Sequence, residues 1–156
     1  YFLITKRDPS ELPSPLINKK APMFKATSLF DDDTILANEI FGEETIIVNF
    51  FATWCIPCRA EHSFIEKLSQ DKNIRVIGVN YKDDPKKTIA WLKELGNPYD
   101  VIGVDTKGSI GFDWGVYGLP ETFIVNKNSI ITYKQVGPIT KKIYGKFYQK
   151  VQESYQ

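Results

Sequence analysis

The chain has 156 residues, of which 42% are apolar and 25% are charged, a composition typical of one globular domain with a sizeable core. Twenty lysines and arginines against nineteen acidic residues give a net charge of +1, so charge predicts no general attraction to nucleic acids or other polyanions. No apolar run in the sequence is long enough to span a membrane.

The N-terminal segment predicts an extended linker over residues 1–22, because Thr5 to Pro22 hold four of the nine prolines. The chain begins at Tyr1 rather than at a methionine, and we expect a removed membrane anchor or leader ahead of it. Residues 23–156 then form the predicted folded domain.

Apolar and β-branched runs predict seven strands in this domain, at residues 23–30, 34–36, 45–51, 73–81, 101–104, 121–126 and 130–136. Apolar residues at helical spacing predict a helix that ends near residue 70, and further helices over 85–95, over 109–114 and from about residue 140. The first two strands read as a hairpin. The alternation that follows predicts an α/β sheet with helices on both faces.

The only two cysteines, Cys55 and Cys58, lie between the third strand and the first helix with C-x-x-C spacing. In that place Cys55 sits at a helix N-terminus, where free amide groups and the helix dipole favour a thiolate. Cys58, one turn on, can attack a mixed disulfide that Cys55 forms with a partner. Pro57 suits the first turn. A C-x-x-C beside a βαβ pattern is typical of thioredoxin-like redox proteins.

Other uses of the pair fit less well. A structural disulfide across so short a loop would contribute only about 2 kcal/mol by loop closure. A structural zinc site needs four ligands, whereas the chain offers two cysteines and one histidine, His62. A haem attachment site needs a histidine directly after the second cysteine, where Arg59 stands. We therefore predict a redox dithiol in a thioredoxin-like fold, with an N-terminal β-hairpin and a central strand–helix insertion.

Several groups are predicted to surround the dithiol. Pro120 follows a glycine-rich loop and begins a strand, the place of the cis-proline in thioredoxin-like folds, and the alternative is an ordinary trans proline in a turn. The backbone of Leu119 can then pair with an extended substrate, and we predict further substrate contacts from Trp54, Ile56 and Pro57.

Two acids are predicted to act beside the cysteines. Glu61 lies one helical turn after Cys58 and can exchange a proton with it, and Glu121 follows Pro120. The alternative for both is a solvated surface carboxylate. His62 lies about 100° around the helix from Glu61, and we expect a surface residue there rather than a base.

Four segments together resemble the DsbE/CcmG family, the periplasmic thiol:disulfide interchange proteins of cytochrome c maturation. They cover most of residues 48–126, and the last three are more specific than the first. The segments are residues 52–62, 78–84, 91–99 and 115–123.

The resemblance implies an inner-membrane-anchored periplasmic reductant that keeps the haem-binding cysteines of apocytochrome c reduced, directly or through a maturation partner. It implies re-reduction by a membrane thiol-electron carrier of the DsbD/CcdA kind. Cys55 matches the attacking cysteine and Cys58 the resolving one, while Pro120, Glu61 and Glu121 match the cis-proline and the acidic residues. The chain departs from the family at Pro138, where the family has an acidic residue, so the resemblance does not establish the full acidic cluster in this chain.

We predict no cofactor, no bound metal and no nucleic-acid partner. Alternative functions are a general thioredoxin-like reductase or oxidant, a docking protein with an inert disulfide, and a copper chaperone. The copper chaperone would use Cys55, Cys58 and His62, since soft thiolates favour Cu(I).

Overall fold

A computed structural model describes residues 14–155. Its seven strands are β1 (Lys25–Ser28), β2 (Thr34–Leu36), β3 (Thr45–Phe51), β4 (Ile74–Tyr81), β5 (Val101–Asp105), β6 (Glu121–Val125) and β7 (Ile131–Val136). Its five helices are α1 (Ala37–Ile40), α2 (Ile56–Ser69), α3 (Pro85–Leu95), α4 (Ser109–Asp113) and α5 (Lys141–Glu153).

The strands form one mixed sheet in the order β2-β1-β5-β4-β3-β6-β7. The three central neighbours β3, β4 and β5 are parallel, and β6, β7 and the β1–β2 hairpin add antiparallel pairs. All seven residues of β3 are buried, as expected of a strand covered on both faces. Since β3 leads directly into α2, the centre of the sheet positions the dithiol.

Each face of the sheet carries its own apolar core. One core packs α2, α3 and α5 against the sheet and includes Cys55 and Cys58, with Phe147 and Val151 from α5. The other core lies under α1 and α4 and contains a cluster of aromatic rings around Trp114. The predicted thioredoxin-like α/β fold with helices on both faces is confirmed.

The helix boundaries follow from the capping residues in the sequence. The Asp84 side chain accepts a hydrogen bond from the Lys86 N–H at 3.0 Å at the start of α3, and Gly96, at a φ of +98°, ends that helix. Thr140 caps α5 in the same way through the Ile143 N–H, at 3.3 Å. These caps confirm the predicted starts of both helices.

The N-terminal hairpin and the central insertion are confirmed. The inserted strand β5 lies between β4 and β1, and α4 follows it. The structure adds α1, a four-residue helix with no side-chain cap, which is too short for periodicity to indicate it.

The predicted linker is described only from residue 14 onward. Its last part lies along the start of β7: the Asn18 N–H donates to the Ile131 carbonyl at 2.7 Å, and Lys20 forms a β-bridge with Ile130. Residues 1–13 and the predicted anchor lie outside the described residues. Between residues 14 and 155 no helix has the length and apolarity needed to cross a membrane.

Candidate active site

Cys55 and Cys58 form a disulfide at the N-terminus of α2, with their Cα atoms 5.3 Å apart. Cys55 is the N-cap residue, and its Sγ accepts a hydrogen bond from the Cys58 N–H at 3.2 Å. Pro57 lies in the first turn, as predicted. Both cysteines are buried, Cys58 more than Cys55. An amide that points at Sγ stabilises negative charge there, which suits a Cys55 thiolate.

Two large apolar side chains flank Cys55 on the surface. Trp54 is 58% exposed and Ile56 82% exposed, although residues of this kind are usually buried. Pro57 is also exposed, and Leu119 is half-buried against both cores. The Leu119–Pro120 peptide bond is cis, as predicted.

The loop before Cys55 is fixed by Asp83, a residue with no predicted role. The Asp83 carboxylate accepts hydrogen bonds from the Thr53 N–H at 2.6 Å and from the Thr53 hydroxyl at 3.0 Å. Trp54 is held alongside, because its Nε1 donates to the Lys82 carbonyl at 3.0 Å. Burial raises the pKa of Asp83, but the hydrogen bonds from Thr53, Asp84 and Asn80 together lower it by more than burial raises it. The pKa of Asp83 therefore lies below its usual value. Its position after β4, beside the end of β3, is the signal that could have identified it.

Glu61 lies on the buried face of α2, with only 1% of its surface exposed. One carboxylate oxygen accepts the Ile139 N–H at 3.0 Å, and the other accepts the Asn49 amide at 2.9 Å. Burial raises the pKa of Glu61 to about 7, against the opposing effect of these two hydrogen bonds. Glu61 is therefore not a solvated surface acid, and its proton can be exchanged near neutral pH.

Asn49 links Glu61 to a buried polar network that was not predicted from the sequence. The Tyr99 hydroxyl donates to Asn49 Oδ1 at 2.7 Å, and the Asn49 amide also donates to Thr122 Oγ1 at 3.0 Å. Burial, and then the charge of Glu61, raise the pKa of Tyr99 well above its usual value, so the phenol stays protonated. The network holds Glu61 in one orientation.

The turn that contains Pro138 supplies the second partner of Glu61. Gly137 has a φ of +90° and donates its N–H to the Pro120 carbonyl at 3.0 Å, and the next residue after Pro138 is Ile139, whose N–H contacts Glu61. The position that departs from the family pattern therefore lies in the turn that holds the buried carboxylate.

Glu121 is also buried, but it does not meet Glu61. The β3–β6 register pairs Glu121 with Phe50 and pairs Thr122 with Asn49. Since paired residues point to the same face and neighbours to opposite faces, Glu121 lies on the face opposite the Glu61 network. Its carboxylate is 2.9 Å from the Lys134 amino group and accepts the Tyr117 N–H at 3.3 Å. Burial raises the pKa of Glu121, with Lys134 opposing the shift.

The prediction that His62 is a surface residue was wrong. Only 3% of His62 is exposed, its Nε2 lies 2.8 Å from the Gly96 carbonyl, and its ring packs edge-on against Trp91 at 4.8 Å. The turn after α3 covers this side of α2, a long-range contact that the helical spacing did not reveal. The imidazole is thus engaged away from the two cysteines, which does not favour the copper site. Within residues 14–155, no group of three or more His, Cys, Asp or Glu side chains is placed to hold a metal.

Comparisons with known proteins agree with this site. The Redoxin family model matches residues 16–147. Thiol:disulfide interchange protein DsbE of Haemophilus influenzae is 44% identical over 138 residues, which cover 88% of this chain and 75% of that protein. DsbE of Escherichia coli K12 is 42% identical over 149 residues, covering 95% and 80%.

A solved structure described as DsbE from Chlorobium tepidum matches with a TM-score of 0.79 at 20% identity, covering 88% of this chain and 96% of that one, and supports the fold. With a Cys-x-x-Cys pair at a helix N-terminus, the sequence matches indicate thiol–disulfide oxidoreductase activity. The chain belongs to the Redoxin family and, within it, to the DsbE thiol:disulfide interchange proteins.

Proposed function

We propose that this protein is a reductant that keeps the haem-binding C-x-x-C-H cysteines of apocytochrome c reduced, directly or through a maturation partner. The observation that carries the redox role is the Cys55–Cys58 pair at the N-terminus of α2, with Glu61 buried one turn behind it. The substrate and the direction follow from the family to which the chain belongs.

The first step uses the reduced protein. The Cys55 thiolate attacks one sulfur of the substrate disulfide; a new S–S bond forms between Cys55 and the substrate, and the other substrate sulfur leaves as a thiolate that takes a proton from water. The Cys58 N–H stabilises the charge on Cys55 before the attack. Cys55 is the attacking group because the exposed Trp54 and Ile56 lie beside it, on the side that a substrate can approach.

The second step releases the substrate. Cys58 loses its proton, and its thiolate attacks Cys55 Sγ; the mixed disulfide breaks, the Cys55–Cys58 bond forms, and the second substrate sulfur leaves as a thiolate. Two electrons have then passed from the protein to the substrate. Glu61 lies three residues after Cys58 on the same helix face, and a carboxylate with a pKa of about 7 is suited to accept the Cys58 proton at neutral pH.

Substrate binding is assigned to the surface around Cys55. Trp54, Ile56 and Pro57 provide apolar contacts, and the backbone of Leu119 pairs with an extended segment of the substrate. Residues that flank a C-x-x-C-H motif in an unfolded cytochrome can adopt that extended form.

The cellular setting proposed is the periplasm, with the domain held at the inner membrane by an N-terminal helix that precedes this chain. There a membrane thiol-electron carrier of the DsbD/CcdA kind would reduce the Cys55–Cys58 disulfide after each turnover. A redox partner that carries thiols is required by the chemistry, because each cycle leaves the protein oxidised.

The test compares two oxidised peptides. One carries the C-x-x-C-H motif with its flanking cytochrome residues, and the other carries the same two cysteines in a scrambled flank. We expect the reduced protein to reduce the first faster than the second. Equal rates would favour a general thioredoxin-like reductase, and oxidation of the reduced peptides by the disulfide form would reverse the proposed direction.

A further inference from the structure

The loop at residues 115–119 leads into the cis-proline, and its last residue, Leu119, packs against the apolar core that contains Cys55 and Cys58. The loop also carries Tyr117, whose side chain is 71% exposed. A loop that offers an exposed aromatic ring and a backbone edge to a partner must be held in one conformation to bind well, because ordering it on binding would cost affinity.

The Lys134 side chain, from β7, contacts this loop at two points and also contacts Glu121, the first residue of β6. Its amino group lies 2.9 Å from Glu121 Oε1 and donates to the Gly115 carbonyl, at the start of the loop, at 3.1 Å. The same nitrogen lies 5.2 Å from the centre of the Tyr117 ring, in the middle, within cation–π range. Only 7% of the Lys134 side chain is exposed.

Glu121 also contacts the loop directly. Its second carboxylate oxygen accepts the Tyr117 N–H at 3.3 Å, so the Lys134–Glu121 pair binds both the backbone and the ring of Tyr117. The β6–β7 register sets Lys134 opposite Phe123, on the same sheet face as Glu121. The pair therefore contacts the loop from beneath, on the face away from Glu61 and its network.

A buried ion pair is costly to desolvate, and apolar residues of similar size commonly serve as well or better for stability. Stability alone therefore does not account for a lysine at this position. What the pair does provide is a set of hydrogen bonds to the part of the loop that apolar packing does not hold. Val116 and Leu119 pack against the apolar cores, whereas Tyr117 is exposed and Gly115 and Gly118 have nothing near the place of a Cβ atom.

We propose that Lys134 is a positioning residue for substrate: with Glu121, it fixes the loop at residues 115–119 so that Tyr117 and Leu119 are ready to receive a peptide. The inference rests on the proposed binding of an extended substrate at Leu119, and it adds that affinity for peptide disulfides, rather than the reactivity of the dithiol, depends on Lys134.

The test is Lys134→Met, which keeps an unbranched side chain as far as the ε carbon and removes the amino group with its charge and its hydrogen bonds. We expect the KM for an oxidised peptide to rise about tenfold with kcat nearly unchanged, the effect of one lost charge-assisted hydrogen bond. The reduction potential should stay at its wild-type value, and so should the rate with the small disulfide of thionitrobenzoate, which is too short to reach the loop. The matched control is Lys127→Met, an exposed lysine in the β6–β7 turn.

Lys134→Met leaves Glu121 buried without its cation, and this can impair folding. The second variant, Lys134→Met with Glu121→Gln, leaves no unpaired charge and should show the same rise in KM. A wild-type KM in the double variant would overturn the proposal. An equal loss with the small disulfide, or a shifted potential, in Lys134→Met would also overturn it.

The haem-motif peptide and its scrambled partner are both used. If the proposed preference for the cytochrome motif fails, the two peptides have equal KM values in the wild type, and both values still rise in Lys134→Met. If Lys134 does not position the loop, the KM values for both peptides are the same in Lys134→Met as in the wild type.

Discussion

Replacing Glu61 by glutamine removes a buried carboxyl whose pKa rises from its ordinary value of 4.5 to about 7 on folding. A difference of that size corresponds to about 3 kcal/mol. Because the folded state holds the proton more tightly, the unfolded state ionises first as the pH rises. The ionisation of Glu61 therefore lowers the free energy of unfolding as the pH rises from about 4.5 to about 7, and this loss stays constant above that range.

The prediction concerns the difference between wild type and Glu61→Gln, because other carboxyls also titrate in this range. The free energy of unfolding of the oxidised proteins is measured in urea at a series of pH values. Between about pH 4 and about pH 8, the free energy of unfolding of the wild type should fall by about 3 kcal/mol relative to that of Glu61→Gln. The amide of Glu61→Gln cannot fully reproduce the hydrogen bonds to Asn49 and Ile139. The free-energy cost of this loss is the same at every pH, so it cancels when each protein is compared with itself across pH.

The control is Glu94→Gln, which removes an exposed carboxylate on α3 that is paired with Arg59. Arg59 lowers the pKa of Glu94, so its contribution has the opposite sign and is screened by solvent. A difference between wild type and Glu61→Gln that is independent of pH would refute the reasoning. It would mean that the Glu61 carboxyl is solvated in the folded protein.

Three further outcomes follow from the structure. Cys58→Ser should accumulate a mixed disulfide with substrate, visible on non-reducing gels, while Cys55→Ser should form none and have no exchange activity; a Cys58→Ser variant that turns over without trapping would reverse the assigned roles. Asp83→Asn should slow peptide reduction about tenfold by weakening the hydrogen bonds to Thr53, and unchanged kinetics would show that the loop before Cys55 is held by other contacts. Phe147→Ala, which empties a fully buried site in α5, should cost about 3 to 5 kcal/mol of unfolding free energy in urea, and a loss below about 1 kcal/mol would mean that the site is loosely packed.

The parts of the site that the sequence predicted are those set by local chemistry. The position of Cys55 at a helix N-terminus follows from a buried strand, a break and a new helical repeat, all within about twenty residues. The helix starts near residues 85 and 140 and the cis bond before Pro120 are local in the same sense. Each of these is confirmed by the structure.

The parts that the sequence did not predict depend on packing between distant segments. His62 is buried because the turn at Gly96 covers its side of α2, 34 residues later in the chain. Helical spacing gives the angle between His62 and Glu61, but it does not say which element covers each direction.

The separation of Glu121 from Glu61 has a similar origin. Both are acids near the dithiol in the sequence motifs, yet the side-chain alternation of β6 sends Glu121 to the other face of the sheet. Its pairing with Lys134 further depends on the β6–β7 register, which contains an irregularity at Ile124 and Val125. A shift of one residue would have reversed the outcome, which is why a sequence without its register could not decide it.

The reduction potential of the Cys55–Cys58 pair tests the central claim most directly. The protein is equilibrated with glutathione buffers of graded composition, and the free thiols are quantified at each point. A reductant requires a potential in the range of thioredoxins and glutaredoxins, about −200 to −270 mV, and this is the result expected. A value near about −120 mV, typical of a disulfide donor, would contradict the proposed direction of electron flow.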